Sequence, residues 1–171
     1  EPLVATLYNA VAARLRQTGN PERSTEVLER ARALFPESEA ITLQAAAVAF
    51  ASGDSTAARK LLQEAKKQNP DSAAPYLVEA RHFEQQGAFP QAAELYQLAD
   101  EKQASAEIAN GYARALQRAG RNEEALTYLE TATERYPDNA QLRLGMAVLQ
   151  QSSGDEQNAR ANYEKLLSAL P

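Results

Sequence analysis

The chain has no cysteine, no tryptophan and a single histidine among its 171 residues. Without thiols there is no disulfide framework, no thiolate nucleophile and no zinc–thiolate knuckle, and the compartment stays open between cytosol and periplasm. The lone imidazole, His82, has no second one with which to share a metal, so no cofactor or metal is expected. No apolar run approaches the roughly 20 residues that a membrane span needs; the longest alanine-containing one covers Ala45 to Ala51. An excess of basic charge is also missing. A formal charge of −5 and a pI near 5.0 remove the usual electrostatic footprint of a nucleic-acid binder. Phosphate-binding glycine loops, nucleophile elbows and metal-ligand helix patterns are absent too, so a non-enzymatic role is expected.

What is present is a period. Aromatics make up 6% of the chain and alanine is abundant, a balance that suits closely packed helices better than a sandwich or barrel. In the stretch from Ala106 to Asn139, Ile108, Tyr112, Ala115 and Leu116 recur at helical spacing. Gly120 interrupts them, and Ala125, Leu126, Leu129 and Ala132 resume the pattern. This predicts an αα-hairpin, which cannot bury both faces of both helices alone, so copies must stack. Glycines at 19, 53, 87, 120 and 154 lie 34, 34, 33 and 34 residues apart, each at a predicted helix end. Pro36, Pro70, Pro137 and Pro171 each follow a turn glycine by 17 residues, and Pro2 precedes Gly19 by the same interval. The third unit is one residue short and has Ala104 in the corresponding region. Asn20, Asp54, Asp155, Ser38, Ser72 and Asn139 are placed to cap helices, and Pro75 and Pro90 fall close enough to helix starts to need no kink.

These residues resemble the tetratricopeptide repeat family, whose unit is a 34-residue helix-turn-helix, and the resemblance covers essentially the whole chain. Five units begin at Ala5, Glu39, Ala73, Ala106 and Ala140, spanning residues 5–38, 39–72, 73–105, 106–139 and 140–171, with residues 1–4 as the tail of a preceding unit. The small eighth position is matched by Ala12, Ala46, Ala80, Ala113 and Ala147. The small twentieth position is matched by Ser24, Ala58, Ala92, Ala125 and Ala159, and the large twenty-fourth by Leu28, Leu62, Tyr96, Leu129 and Tyr163. The family's tryptophan at the fourth position is absent throughout, and Leu166 departs from the small twenty-seventh. The resemblance implies an all-α fold, a right-handed α-solenoid of five repeats, serving as a protein-interaction scaffold.

In this family positions 2, 5, 9, 12 and 13 of each first helix usually line a concave groove. They map onto Leu43, Ala47 and Phe50 in the second unit, onto Leu77, Arg81, Glu84 and Gln85 in the third, onto Glu107, Asn110, Arg114, Gln117 and Arg118 in the fourth, and onto Leu144 and Val148 in the fifth. Two readings of the arginines stay open: Arg81, Arg114 and Arg118 bind an acidic partner segment with Asn110, or Glu84 and Glu107 neutralise them internally. Phe50 either anchors a ligand or fills the core beside Ala49. Gly111 and Gly145 share the sixth position, inside a helix, and either admit a bulky neighbour, the preferred reading, or a ligand backbone. The family's chaperone-tail clamp lacks its Lys/Asn pair here.

The expected partner is a protein or peptide held in the groove, acidic if the arginines are used. Rival roles are a structural spacer or a module engaging a polysaccharide. A weak further likeness is to long bacterial arrays of envelope and export machines. Leu3, Leu7 and Val11 at one end and Leu166, Leu167 and Leu170 at the other predict apolar strips and weak end-to-end self-association.

Overall fold

The computed structural model describes residues 2–169; Glu1, Leu170 and Pro171, and with them the expected closing proline, lie outside the described residues. Among the described residues there are ten helices and no strand. In chain order they are α1 (Pro2–Gln17), α2 (Pro21–Leu34), α3 (Glu39–Ala51), α4 (Ser55–Gln68), α5 (Ala74–Gln85), α6 (Phe89–Lys102), α7 (Ala106–Arg118), α8 (Asn122–Arg135), α9 (Ala140–Ser152) and α10 (Glu156–Ser168). They fall into two compact units, Glu1–His82 and Phe83–Pro171.

The five periodic glycines all have positive φ, between 73° and 84°. This left-handed conformation strains any residue with a Cβ. It lets the chain reverse while the next N–H reaches back five residues, as Arg121 does to the Leu116 carbonyl at 2.9 Å, closing the first helix of each hairpin. The second helices end differently. Beyond α2, α4 and α8 the chain makes a turn closed by Ser38 N–H to the Phe35 carbonyl (3.0 Å), Ser72 to Asn69 (3.2 Å) and Asn139 to Tyr136 (3.1 Å). At the shortened join, residues 103–105, the chain runs extended, and Ser105 Oγ accepts from Ile108 N–H at 3.2 Å to start α7. Ser105 is a cap that the sequence reading missed.

Capping otherwise divides. Asp54, Asp155 and Asn139 accept from Ala57, Asn158 and Leu142 N–H as expected. Asn20 makes no side-chain cap, because its amide turns back to the Thr18 carbonyl at 3.1 Å; Ser38 makes none either. Ser72 Oγ accepts from Ala74 N–H, two residues on, so α5 begins at Ala74 and not at Ala73. At the start of the chain α1 begins at Pro2, so residues 2–4 continue the first helix upstream of Ala5. Proline is compatible with a first turn, where its missing N–H would have had no intrahelical partner.

Packing follows the repeat phase. The alanines at the eighth position and their small partners at the twentieth are all at most 5% exposed. Where Ser24 replaces alanine, its hydroxyl donates to the Ala12 carbonyl at 2.8 Å, so the buried polar group keeps a partner. In unit 1, Leu28, Ile41 and Val48 pack with Tyr8 and Phe35, and Phe50 packs with Ala58 and Leu62. In unit 2, Gln150 stands where the preceding repeat has buried Leu116; Asn162 Nδ2 donates to its side-chain carbonyl at 2.9 Å, so the buried amide oxygen keeps a partner. On α1, Leu3, Leu7 and Val11 are 73%, 57% and 48% exposed, and on α10 Leu167 is exposed as well.

Candidate functional site

The site in unit 2 starts from two first helices lying side by side. On α7, Asn110, Arg114 and Gln117 follow one another at helical spacing along one face; on α9, Gln141, Leu144 and Val148 do the same. Between them is a depression of about 290 Å³, floored by Ala113, Gly145 and Leu129. Leu144 and Val148 keep 47% and 40% of their surface exposed, an apolar ridge that the fold leaves uncovered. Across it, Asn110 Nδ2 donates to Gln141 Oε1 at 2.8 Å.

Arg114 is held from one side. Its Nη2 donates to Glu84 Oε1 at 2.9 Å and its Nε to the same oxygen at 3.3 Å, while Tyr96 Oη donates to Glu84 Oε2 at 2.8 Å. The bond to Glu84 holds the guanidinium charged more firmly than usual, against a smaller opposing effect of burial. The other side-chain hydrogen-bonding groups that line the depression, Asn110 and Gln117 on α7 and Gln141 on α9, are neutral amides.

Five residues expected in a groove therefore come together here, Asn110, Arg114, Gln117, Leu144 and Val148, and Glu84, expected there too, stands behind them as the counter-charge. Arg118 lies instead over the Phe89 ring, 4.8 Å from its centroid. Leu43, Leu77 and Arg81 belong to unit 1, where Leu43 is half-buried against the Ala46 core. Phe50 takes the core reading and not the groove one: it is 7% exposed, packs with Ala46, Ala58 and Leu62, and its ring stacks on His82 at 3.9 Å. Gln141 and Gly145 were missed as part of the site. Gln141 sits at the second repeat position, which the groove rule includes, so its signal was present.

The two helical glycines separate. A Cβ on Gly111 would lie 2.5 Å from Tyr96 Cε1, so glycine is required by a bulky neighbour. A Cβ on Gly145 would meet only Leu129, at an ordinary 3.7 Å. The neighbour explanation therefore fails for Gly145.

A larger hollow, about 400 Å³, lies in unit 1 between α2 and α4 over α3. It exists because Ala45 and Ala49 stand where the fourth repeat has Tyr112 and Leu116. Arg32 and Glu64 on its rim bridge each other at 2.9 Å, and Glu29 and Lys60 complete a lining of mixed sign, so no charge pattern selects a ligand.

Paired helices, left-handed glycine turns and an open face of first helices define a helix-turn-helix repeat protein. The tetratricopeptide repeat profile matches residues 15–81 and again 112–171, and the chain belongs to that family, with the all-α fold of the α-solenoid class. No curated protein sequence matches it. Among solved structures, yeast Tom70 superposes with a TM-score of 0.80 at 21% identity, over 97% of this chain and 36% of Tom70. Pseudomonas aeruginosa PilF gives 0.70 at 16% identity, over 98% and 77% of the two chains. YrrB, a protein of this repeat class with an unusual peptide-binding site, gives 0.64 at 17%, over 94% and 84%. At these identities the likeness establishes the fold and nothing further.

Proposed function

We propose that the chain is a non-enzymatic interaction scaffold that takes a partner peptide or helix against its first helices, as part of a larger bacterial assembly or export protein. The family supplies the general role, protein–protein interaction. The observation that carries the finer reading is the depression between α7 and α9, where two exposed aliphatic side chains stand beside amides with hydrogen-bonding capacity to spare. Apolar surface rimmed by polar groups is what peptide recognition uses, and a spacer has no need of it. In unit 1, Leu43, Leu77 and Arg81 occupy equivalent first-helix positions and are assigned to partner contact on that equivalence alone. A polysaccharide module is less favoured, since aromatic platforms do not line the depression.

Panning a displayed peptide library on the chain tests the reading. Enriched peptides should lose binding to Val148→Asp and keep it with Leu34→Asp, a control on exposed α2 surface. Equal binding to both variants would remove the α7/α9 face from consideration.

A further inference from the structure

Four features of the depression bear on what it accepts, given that partners dock there as proposed above. Arg114 is the one formal charge in its walls, and Glu84 already balances it through three contacts of 2.9 to 3.3 Å. An incoming carboxylate would have to displace Glu84, which is only 18% exposed and also accepts from Tyr96. The electrostatic reward for an acidic ligand is therefore small.

The amides point the same way. With Asn110 donating to Gln141, the pair keeps one carbonyl acceptor and one NH2 donor unused. Rotating both amides by 180° reverses the bond but leaves the same inventory. One free donor group and one free acceptor group, both on residues that line the depression, are what a peptide group can pair with. Leu144 and Val148, four residues apart on α9, supply apolar surface beside that pair. At about 290 Å³ the depression is at the small end of ligand pockets, which run from roughly 300 to 1,000 Å³.

Gly145 is the fourth feature. Glycine inside a helix costs about 1 kcal/mol relative to alanine, and Leu129 would meet an added Cβ there only at ordinary contact distance. At the matching position of the second repeat the chain carries Gln44. The bare floor is explained by what passes over it: a backbone that a side chain would hold away.

We propose that the α7/α9 depression recognises an extended, uncharged stretch of polypeptide, its main chain running over Gly145 and paired with the Asn110–Gln141 amides, and a bulky aliphatic side chain resting on Leu144 and Val148. Of the two readings left open for the arginines, this one sets aside the acidic segment.

The test uses the full chain and two probes, acetyl-Gly-Leu-Ala-Leu-Gly-amide and its acidic counterpart acetyl-Asp-Leu-Ala-Leu-Asp-amide, followed by amide chemical shifts and calorimetry. The neutral peptide should shift resonances of α7 and α9, with an affinity that changes less than about twofold between about 25 and 300 mM NaCl. Leu144→Asn, a change at an exposed site, should weaken it by at least about tenfold, and Arg114→Gln by less than about twofold. Tighter binding of the acidic peptide on α7 and α9, weakened by salt and by Arg114→Gln, would overturn the proposal while leaving the docking face in place. If neither peptide perturbs α7 or α9, the docking face itself is wrong.

Discussion

Gly111 and Gly145 stand at the same position of successive repeats and face the same position of the repeat before, yet they exist for different reasons. Gly111 is buried under the Tyr96 ring, which is fixed by its bond to Glu84, so the helix gives up a side chain to let an aromatic close in. Gly145 faces Leu129, which would tolerate a Cβ, and it remains partly exposed in the floor of the depression. A repeat position is thus not a role. The residue facing it decides whether an absent side chain serves packing or leaves room for something else.

The largest effect expected from this contrast is at Gly111. Gly111→Ala forces Tyr96 off its seat and should cost about 2 kcal/mol net of alanine's better helix propensity, read by urea unfolding. Tyr96→Leu restores the pairing that Leu129 makes with Gly145, so in that background Gly111→Ala should be neutral or stabilising. A stabilising Gly111→Ala in the unaltered chain would show the contact to be looser than described. A smaller effect concerns α1. Its exposed Leu3, Leu7 and Val11 should give weak self-association that rises with concentration, and Leu7→Gln should reduce it in sedimentation equilibrium. Concentration-independent monomers would contradict that.

The smallest is at His82. Burial, and secondarily the charge of Arg59, hold its pKa below the ordinary 6.5, with Glu79 opposing. The fold therefore prefers neutral imidazole. The contribution is complete above pH 6.5 and is lost as pH falls through the lower folded value, where the protonated ring must still stack on Phe50. As the only histidine it can be titrated cleanly by NMR. A midpoint at or above 6.5 would contradict the assignment.

Much of the fold was legible because it rests on local chemistry. Positive-φ turns need glycine, and close helix crossings need residues such as Ala12 and Ala46, so both leave a period that can be counted. The site was less legible because its decisive features are pairings across repeats. The sequence offered Glu84 and Glu107 as neutralisers of the arginines but not which of them pairs with which; the fold brings Glu84, 30 residues earlier, to Arg114. Identical glycines cannot reveal which one has an aromatic beneath it. Phe50 at a groove position says nothing of the Ala46, Ala58 and Leu62 core and the His82 ring that take it inward.

Gly145→Gln tests the central claim most directly, measured for both unfolding free energy and calorimetric binding of acetyl-Gly-Leu-Ala-Leu-Gly-amide. Glutamine is a good helix former and stands at the matching position in the second repeat, so stability should rise by up to about 1 kcal/mol. The new side chain fills the floor, so binding should fall by at least about tenfold, or 1.4 kcal/mol. A variant that unfolds earlier than the parent, or that binds the peptide as well as the parent does, would contradict the account.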